Sequence, residues 1–80
     1  MGLAKSEAEL AERVSRHLKA ELKRAGVTYE ELAQRLKKHG LPDETVDSIK
    51  AKLKRGTFAA TFLLAAAAAI GLDSIQLEDV

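Results

Sequence analysis

The segment from Thr28 to Gly56 constrains the fold of this chain more than any other part of the sequence. Helical periodicity begins after Thr28, is interrupted around Gly40 and Pro42, and resumes before a basic run that ends at Gly56. Proline cannot continue the interior of a helix, because it has no N–H donor and its ring clashes with the preceding turn. The segment therefore predicts two short amphipathic helices joined by a turn, and the rest of the chain must hold them at a fixed angle.

Helical patterns also cover most of the remaining sequence. Ser6 and Glu9 have the spacing of a capping box before an apolar stripe, and Gly26 follows the last apolar residue of that stripe. An alanine-rich run before Gly71 has the composition of a closely packed helix, since alanine has the highest helix propensity. We therefore predict one all-α domain, a compact four-helix fold with a short extended C-terminal tail. The predicted helices cover about residues 6–25, 29–38, 43–55 and 58–70 of the single domain 1–80.

Composition excludes several classes of protein. The chain has 80 residues, of which 46% are hydrophobic, and no cysteine, so it can build a small core but neither a disulfide framework nor a thiolate metal site. No apolar run approaches the ~18 residues that a membrane span needs. We expect no membrane partner and a cytoplasmic location, at the nucleoid if the protein is bacterial. His17 and His39 lack the spacing of a metal site, so no metal or cofactor is expected.

No catalytic motif is visible in the sequence. The carboxylates are spread along helical surfaces, and there is no nucleophile elbow, phosphate-binding glycine loop or HExxH pattern. Four helices in so short a chain also leave little room for a closed pocket. We therefore expect neither enzymatic activity nor a small-molecule substrate.

Charge is distributed unevenly along the chain. The formal net charge of +1 divides into −2 for residues 1–12, +6 for residues 13–55 and −3 for residues 56–80. A basic segment between two acidic ends is the electrostatic pattern expected of a protein that binds a polyanion. A solvated surface without a ligand is the alternative interpretation, and it is common for helices rich in lysine and arginine.

The run LKAELKRAGVTYEELAQRL, a turn, a helix ending in KRG and a helix ending in AIGL together resemble a known family, the lambda-repressor-like (Cro and XRE-type) helix-turn-helix DNA-binding domains. The resemblance covers about residues 18–72, and the sequence is also similar to short bacterial proteins that share the GVTYEELA and KRGTF segments. It departs from the family pattern in the longer stretch between Leu36 and Ile49. An engineered sequence on a natural scaffold would show the same features.

The resemblance implies sequence-specific binding of double-stranded DNA, with the third helix in the major groove and a role in transcription regulation. Arginine and lysine can donate hydrogen bonds to guanine, and serine and threonine can bond several base edges. Aspartate can accept from the cytosine amino group, and alanine can contact the thymine methyl. The predicted base-reading residues are Thr45, Asp47, Ser48, Ala51, Lys52 and Arg55. The acids Asp43 and Glu44 are expected in the first turn of this helix, where they would repel DNA. Contacts to bases are therefore expected from the middle and C-terminal half of the helix. The alternative is an ordinary solvated helix face.

A second group of side chains could contact the DNA backbone. Helix N-termini and hydroxyl groups are common phosphate donors. The predicted phosphate-contacting residues are Thr28, Tyr29, Gln34, Lys38, Lys54 and Thr57. Thr28 would cap its helix with or without DNA, and Tyr29 could instead pack against the first helix. Lys19, on the first helix, is expected to lie away from this surface.

The alternative function is a helical protein-interaction or dimerisation module that does not bind DNA. The alanine-rich fourth helix and the apolar tail residues Leu72, Ile75 and Leu77, which we expect to dock on the fold, could form a two-fold homodimer interface. Many repressor domains use such a dimer to span two half-sites. The sequence is compatible with a dimer of this kind and with a monomer.

Overall fold

Four α-helices account for most of residues 4–80, the part of the chain that the computed structural model describes. They are α1 (Glu7–Ala25), α2 (Tyr29–Leu36), α3 (Val46–Arg55) and α4 (Ala60–Ala69), with short 3-10 turns at Lys37–His39 and Leu77–Asp79. The described residues contain no β-strand. The prediction of an all-α fold with four helices is confirmed. None of the described helices is long and apolar enough to cross a membrane.

Side-chain caps fix where α1 and α2 begin. The Glu9 N–H donates to Ser6 Oγ at 3.2 Å, and the Glu31 N–H donates to Thr28 Oγ1 at 3.1 Å. Each cap satisfies an N–H group that has no partner within its own helix. α1 ends where Gly26 adopts a left-handed φ of 70°. The predicted limits of α1 and the predicted start of α2 are therefore confirmed.

α3 begins later than the sequence predicts. We expect its start near Asp43, whereas the helix begins at Val46 after the N-cap Thr45. Thr45 and Ser48 cap each other: the Thr45 N–H donates to Ser48 Oγ at 2.8 Å, and the Ser48 N–H donates to Thr45 Oγ1 at 3.1 Å. This reciprocal cap satisfies two donors at once. Asp43 and Glu44 therefore belong to the connection between α2 and α3, and not to the first turn of α3.

α2 and α4 are shorter than predicted. α2 ends at Leu36, and the chain continues as a 3-10 turn to Gly40, whose φ is 88°. α4 begins at Ala60, so Phe58 lies in the loop before it. The N-cap residue of α4 is Ala59, which provides no side-chain hydrogen bond. The sequence gives no local signal for this start.

The core lies where α3 packs against α1 and α2 and where α4 packs against α2. Its largest fully buried side chains are Phe62, Leu18, Leu32, Leu36, Ile49 and Leu53. Most of the alanine run of α4 is buried as well, because small side chains let the neighbouring helix approach closely. The tail docks only in part. Leu72 and Ile75 are half-buried, but Leu77 is 74% exposed, contrary to prediction.

A close contact between α1 and the C-terminal end of α3 fixes the position of these two helices. The buried Ser15 hydroxyl on α1 donates a hydrogen bond to the Leu53 carbonyl on α3. Gly56, which ends α3 with a φ of 73°, lies against α1 so closely that a Cβ would be 2.4 Å from the Ala11 carbonyl oxygen. The approach therefore requires glycine at this position, both for its backbone conformation and for its lack of a side chain.

Candidate nucleic-acid interface

An open groove of about 880 Å³ runs between α1 and α3. Its α1 wall contributes Arg16 and Lys19, and its α3 wall contributes Lys50, Lys54 and Arg55. The small residues that hold α1 against α3 leave these longer side chains at the rim. Five cationic groups therefore lie around one concave surface, which we call the basic groove.

A second cavity, of about 460 Å³, adjoins the basic groove at the N-terminus of α2. Lys19, Tyr29 and Lys50 line both cavities, so the two form one continuous depression. Lys23 and Thr28 extend its lining beyond the groove. The N-terminus of α2 therefore lies on the same face of the molecule as the exposed side of α3.

Two acids, Glu7 and Glu12, also line the basic groove from the α1 side. Glu12 Oε1 pairs with Arg16 at 2.7 Å, and both side chains are well exposed. Such a surface pair contributes little to stability, but it offsets the charge of both groups locally. The excess positive charge is therefore concentrated toward Lys19 and Lys50.

The solvent-facing side of α3 carries polar and small residues only. Its exposed residues are Asp47, Lys50, Ala51, Lys54 and Arg55. The Arg55 Nε donates to the Thr57 carbonyl at 3.2 Å, and the two terminal nitrogens of the guanidinium have no partner within residues 4–80. This face offers hydrogen-bond donors, one carboxylate and one methyl group, the side-chain groups with which proteins bind base edges.

Three of the six predicted base-reading residues form hydrogen bonds with other groups of the protein. Thr45 caps α3, and the Ser48 hydroxyl donates to Glu44 Oε1 at 2.6 Å. Lys52 Nζ donates to the same Glu44 oxygen at 3.0 Å and lies 5.5 Å from the centre of the Phe62 ring. Of these three residues, Lys52 lies on the side of α3 that faces Phe62 of α4, and Thr45 is exposed at the N-terminus of the helix. The other three, Asp47, Ala51 and Arg55, remain on the exposed face.

The predicted phosphate-contacting residues fall into two groups. Thr28, Tyr29, Lys54 and Thr57 line the basic groove or the cavity that adjoins it. Gln34 and Lys38 are exposed but line neither cavity. Gln34 lies near the C-terminal end of α2 and Lys38 lies in the 3-10 turn that follows it, whereas Thr28 and Tyr29 lie at its N-terminal end.

Lys50 and Lys19 both line the basic groove, although neither was among the predicted site residues. Lys50 lies one turn before Lys54, and this i, i+4 spacing was the signal that could have identified it. The expectation that Lys19 lies away from the surface is wrong, since it lines both cavities beside Lys50. Its position depends on how α1 crosses α3, which no local pattern encodes.

The sequence of this chain matches one known protein family. A family model matches residues 10–75, from the second turn of α1 to the C-terminal tail. The chain belongs to the DUF6471 family. That family is described as a domain of unknown function, so DUF6471 membership assigns no activity. Comparisons with curated proteins and with solved structures give no match. The DUF6471 match includes all five cations of the basic groove.

The carboxylate of Glu44 organises the side of α3 that faces away from the groove. Partial burial by itself raises the pKa of Glu44. The hydrogen bonds from Ser48 and Lys52 and the charge of Lys52 lower it by more than burial raises it, so the pKa lies below the usual value of 4.5. A lowered folded-state pKa means that the ionised group stabilises the fold above pH 4.5. This contribution is lost as the pH falls through the folded-state pKa.

We expect Glu44→Gln to lower the free energy of unfolding at pH 7 by about 1.5–3 kcal/mol, because it removes charge-assisted hydrogen bonds. Urea unfolding followed by circular dichroism at pH 7 and at pH 3.5 would measure this loss. The difference from wild type should shrink at the lower pH. Asp43→Asn, a neighbouring exposed carboxylate, is the control and should change stability little. An equal loss for Glu44→Gln at both pH values would contradict the assignment.

Proposed function

We propose that this domain binds double-stranded DNA sequence-specifically, as a helix-turn-helix module that acts in transcription regulation. The observation that carries the proposal is the gathering of Lys19, Lys50, Lys54 and Arg55 around one groove beside the exposed face of α3. Cations concentrated on one face supply the attraction to phosphates that dominates binding to nucleic acid.

In this proposal α3 enters the major groove, which is wide enough to admit an α-helix. Support comes from its exposed face, where Asp47, Ala51 and Arg55 surround a surface free of large apolar groups. Arg55 would bond a guanine, Ala51 would contact a thymine methyl, and Asp47 would accept from a cytosine amino group. A surface meant for an apolar protein partner would instead expose larger hydrophobic side chains.

The phosphate contacts would come from the elements that flank α3. The N-terminus of α2 carries Thr28 and Tyr29, and the loop after α3 carries Thr57. Thr28 Oγ1 accepts from the Glu31 N–H but keeps its own O–H, which would donate to a phosphate together with the N–H groups of the first turn that have no partner within the helix. Lys54 would add a charged contact at the rim.

The proposal is tested by fluorescence-anisotropy titration, first against a randomised duplex library and then against individual selected sites. A specific domain should bind its best site about 1,000-fold or more tightly than random duplex. Arg55→Ala should cost about 1–3 kcal/mol at the selected site and relax the preference at one base position. Equal affinity for every duplex would refute specific recognition.

Self-association through α4 is the second candidate function. Leu64 on α4 is 64% exposed and Leu77 in the tail is 74% exposed, and a two-fold contact would bury such side chains twice. The same dimer could serve DNA binding by pairing half-sites. Sedimentation equilibrium with and without duplex distinguishes the two functions, because a stable dimer that binds no DNA at any salt concentration favours the interaction module alone.

A further inference from the structure

We infer that α1 is a nucleic-acid-binding element, and that one strand of the DNA backbone lies in the channel between α1 and α3. Lys19 and Lys23 would hold it from the α1 side, and Lys50 and Lys54 from the α3 side. This inference rests on the proposed DNA binding and deepens it, because it assigns a phosphate site to a helix outside the helix-turn-helix pair.

The first support is the shape of the surface. Lys19 and Lys50 belong to different helices, yet both line the basic groove and the adjoining cavity. The two ammonium groups therefore border the same channel from opposite sides. The two parts of the channel are open to solvent and have volumes of about 880 and 460 Å³.

The second support is the pattern of ion pairing. Three arginines of α1, of which Arg16 lines the basic groove, have acidic partners. The pairs are Arg13 with Glu9 at 2.6 Å, Arg16 with Glu12 at 2.7 Å, and Arg24 with Glu21. Within residues 4–80, no carboxylate pairs with Lys19 or Lys23.

The same division occurs on α3. Lys52, on the side that faces α4, pairs with Glu44 at 3.0 Å. Lys50 and Lys54, which line the channel, have no acidic partner in the described part of the chain. On both helices every lysine or arginine without an acidic partner therefore borders the channel. Like charges gathered in this way repel one another, and a bound phosphate would relieve that repulsion.

The remaining lining residues indicate where the strand would run. Glu7 and Glu12 lie at the end of the groove nearest the start of α1 and disfavour a polyanion there. A third acid, the exposed Glu30, lines the adjoining cavity, where three lysines outnumber it. Tyr29 is half-buried and lines both cavities, and tyrosine hydroxyls are common donors to phosphate. The phosphates would therefore lie along the stretch from Lys54 past Tyr29 to Lys23.

The test compares two double variants that remove the same charge. Lys19→Gln/Lys23→Gln neutralises the α1 wall, and Lys5→Gln/Lys37→Gln neutralises two exposed lysines that line neither cavity. The probe is a fluorescein-labelled random-sequence duplex, titrated by anisotropy at several salt concentrations. Each lost phosphate contact lowers the slope of log affinity against log salt by about 0.9.

We expect Lys19→Gln/Lys23→Gln to lower that slope by nearly 2 and to weaken binding about 10-fold or more at low salt. The control should change both quantities far less. As a second readout, the backbone amide signals of Lys19 and Lys23 should shift when wild-type protein is titrated with the duplex. If wild type binds but both double variants behave alike, α1 is not a binding element and the proposed function survives. If wild type binds no duplex at all, the proposed function itself fails.

Discussion

Gly56→Ala is expected to lower the free energy of unfolding by about 2–5 kcal/mol, the sum of two separate costs. A residue with a side chain pays about 1–2 kcal/mol to adopt a left-handed conformation, and the φ of Gly56 is 73°. The added Cβ would also lie 2.4 Å from the Ala11 carbonyl oxygen. That oxygen belongs to the backbone of α1, so relief requires the helix to move, and overpacking of this kind costs about 1–3 kcal/mol.

Urea and thermal unfolding by circular dichroism would measure the effect, with Gly40→Ala as the matched control. Gly40 also has a positive φ, of 88°, but a Cβ there would meet no atom within 4 Å. Its substitution should therefore cost only the backbone strain. An equal loss for the two variants would show that the contact between α1 and Gly56 is not the tight one described. Any Gly56→Ala protein that remains folded should also bind duplex less well, because a shifted α1 changes the basic groove.

Lys50→Glu/Lys54→Glu is expected to weaken binding to random-sequence duplex by about 100-fold or more at low salt, since both attractive contacts become repulsive. Both side chains are exposed, so the fold should persist, with only a small penalty from acids in the last turns of α3. Anisotropy titration at several salt concentrations would measure the affinity, and circular dichroism would verify the fold.

The matched control is Lys5→Glu/Lys37→Glu, which makes the same change in net charge at two exposed lysines that line neither cavity. It should weaken binding much less, because long-range repulsion between exposed charges is screened by salt. A comparable loss in the control would mean that binding follows net charge and not the basic groove.

The local elements of the fold were predictable because their determinants lie within a few residues of one another. Ser6 and Thr28 cap α1 and α2 through N–H groups three residues ahead, and Gly26 ends α1 in a left-handed conformation. Such interactions form whatever the rest of the chain does. The start of α3 was predicted too early, near Asp43, because the reciprocal hydrogen bonds between Thr45 and Ser48 that place it at Val46 were not recognised.

The sequence by itself therefore determined four helices, the limits of α1, the start of α2, the end of α3 and a basic central segment. Only the tertiary structure decided which cations share a surface, because that depends on how α1 crosses α3. The crossing is fixed by the Ser15 hydrogen bond to the Leu53 carbonyl, between residues 38 positions apart, and by the contact of Gly56 with Ala11. The periodicity of apolar residues within a helix cannot predict contacts between residues so far apart in the sequence.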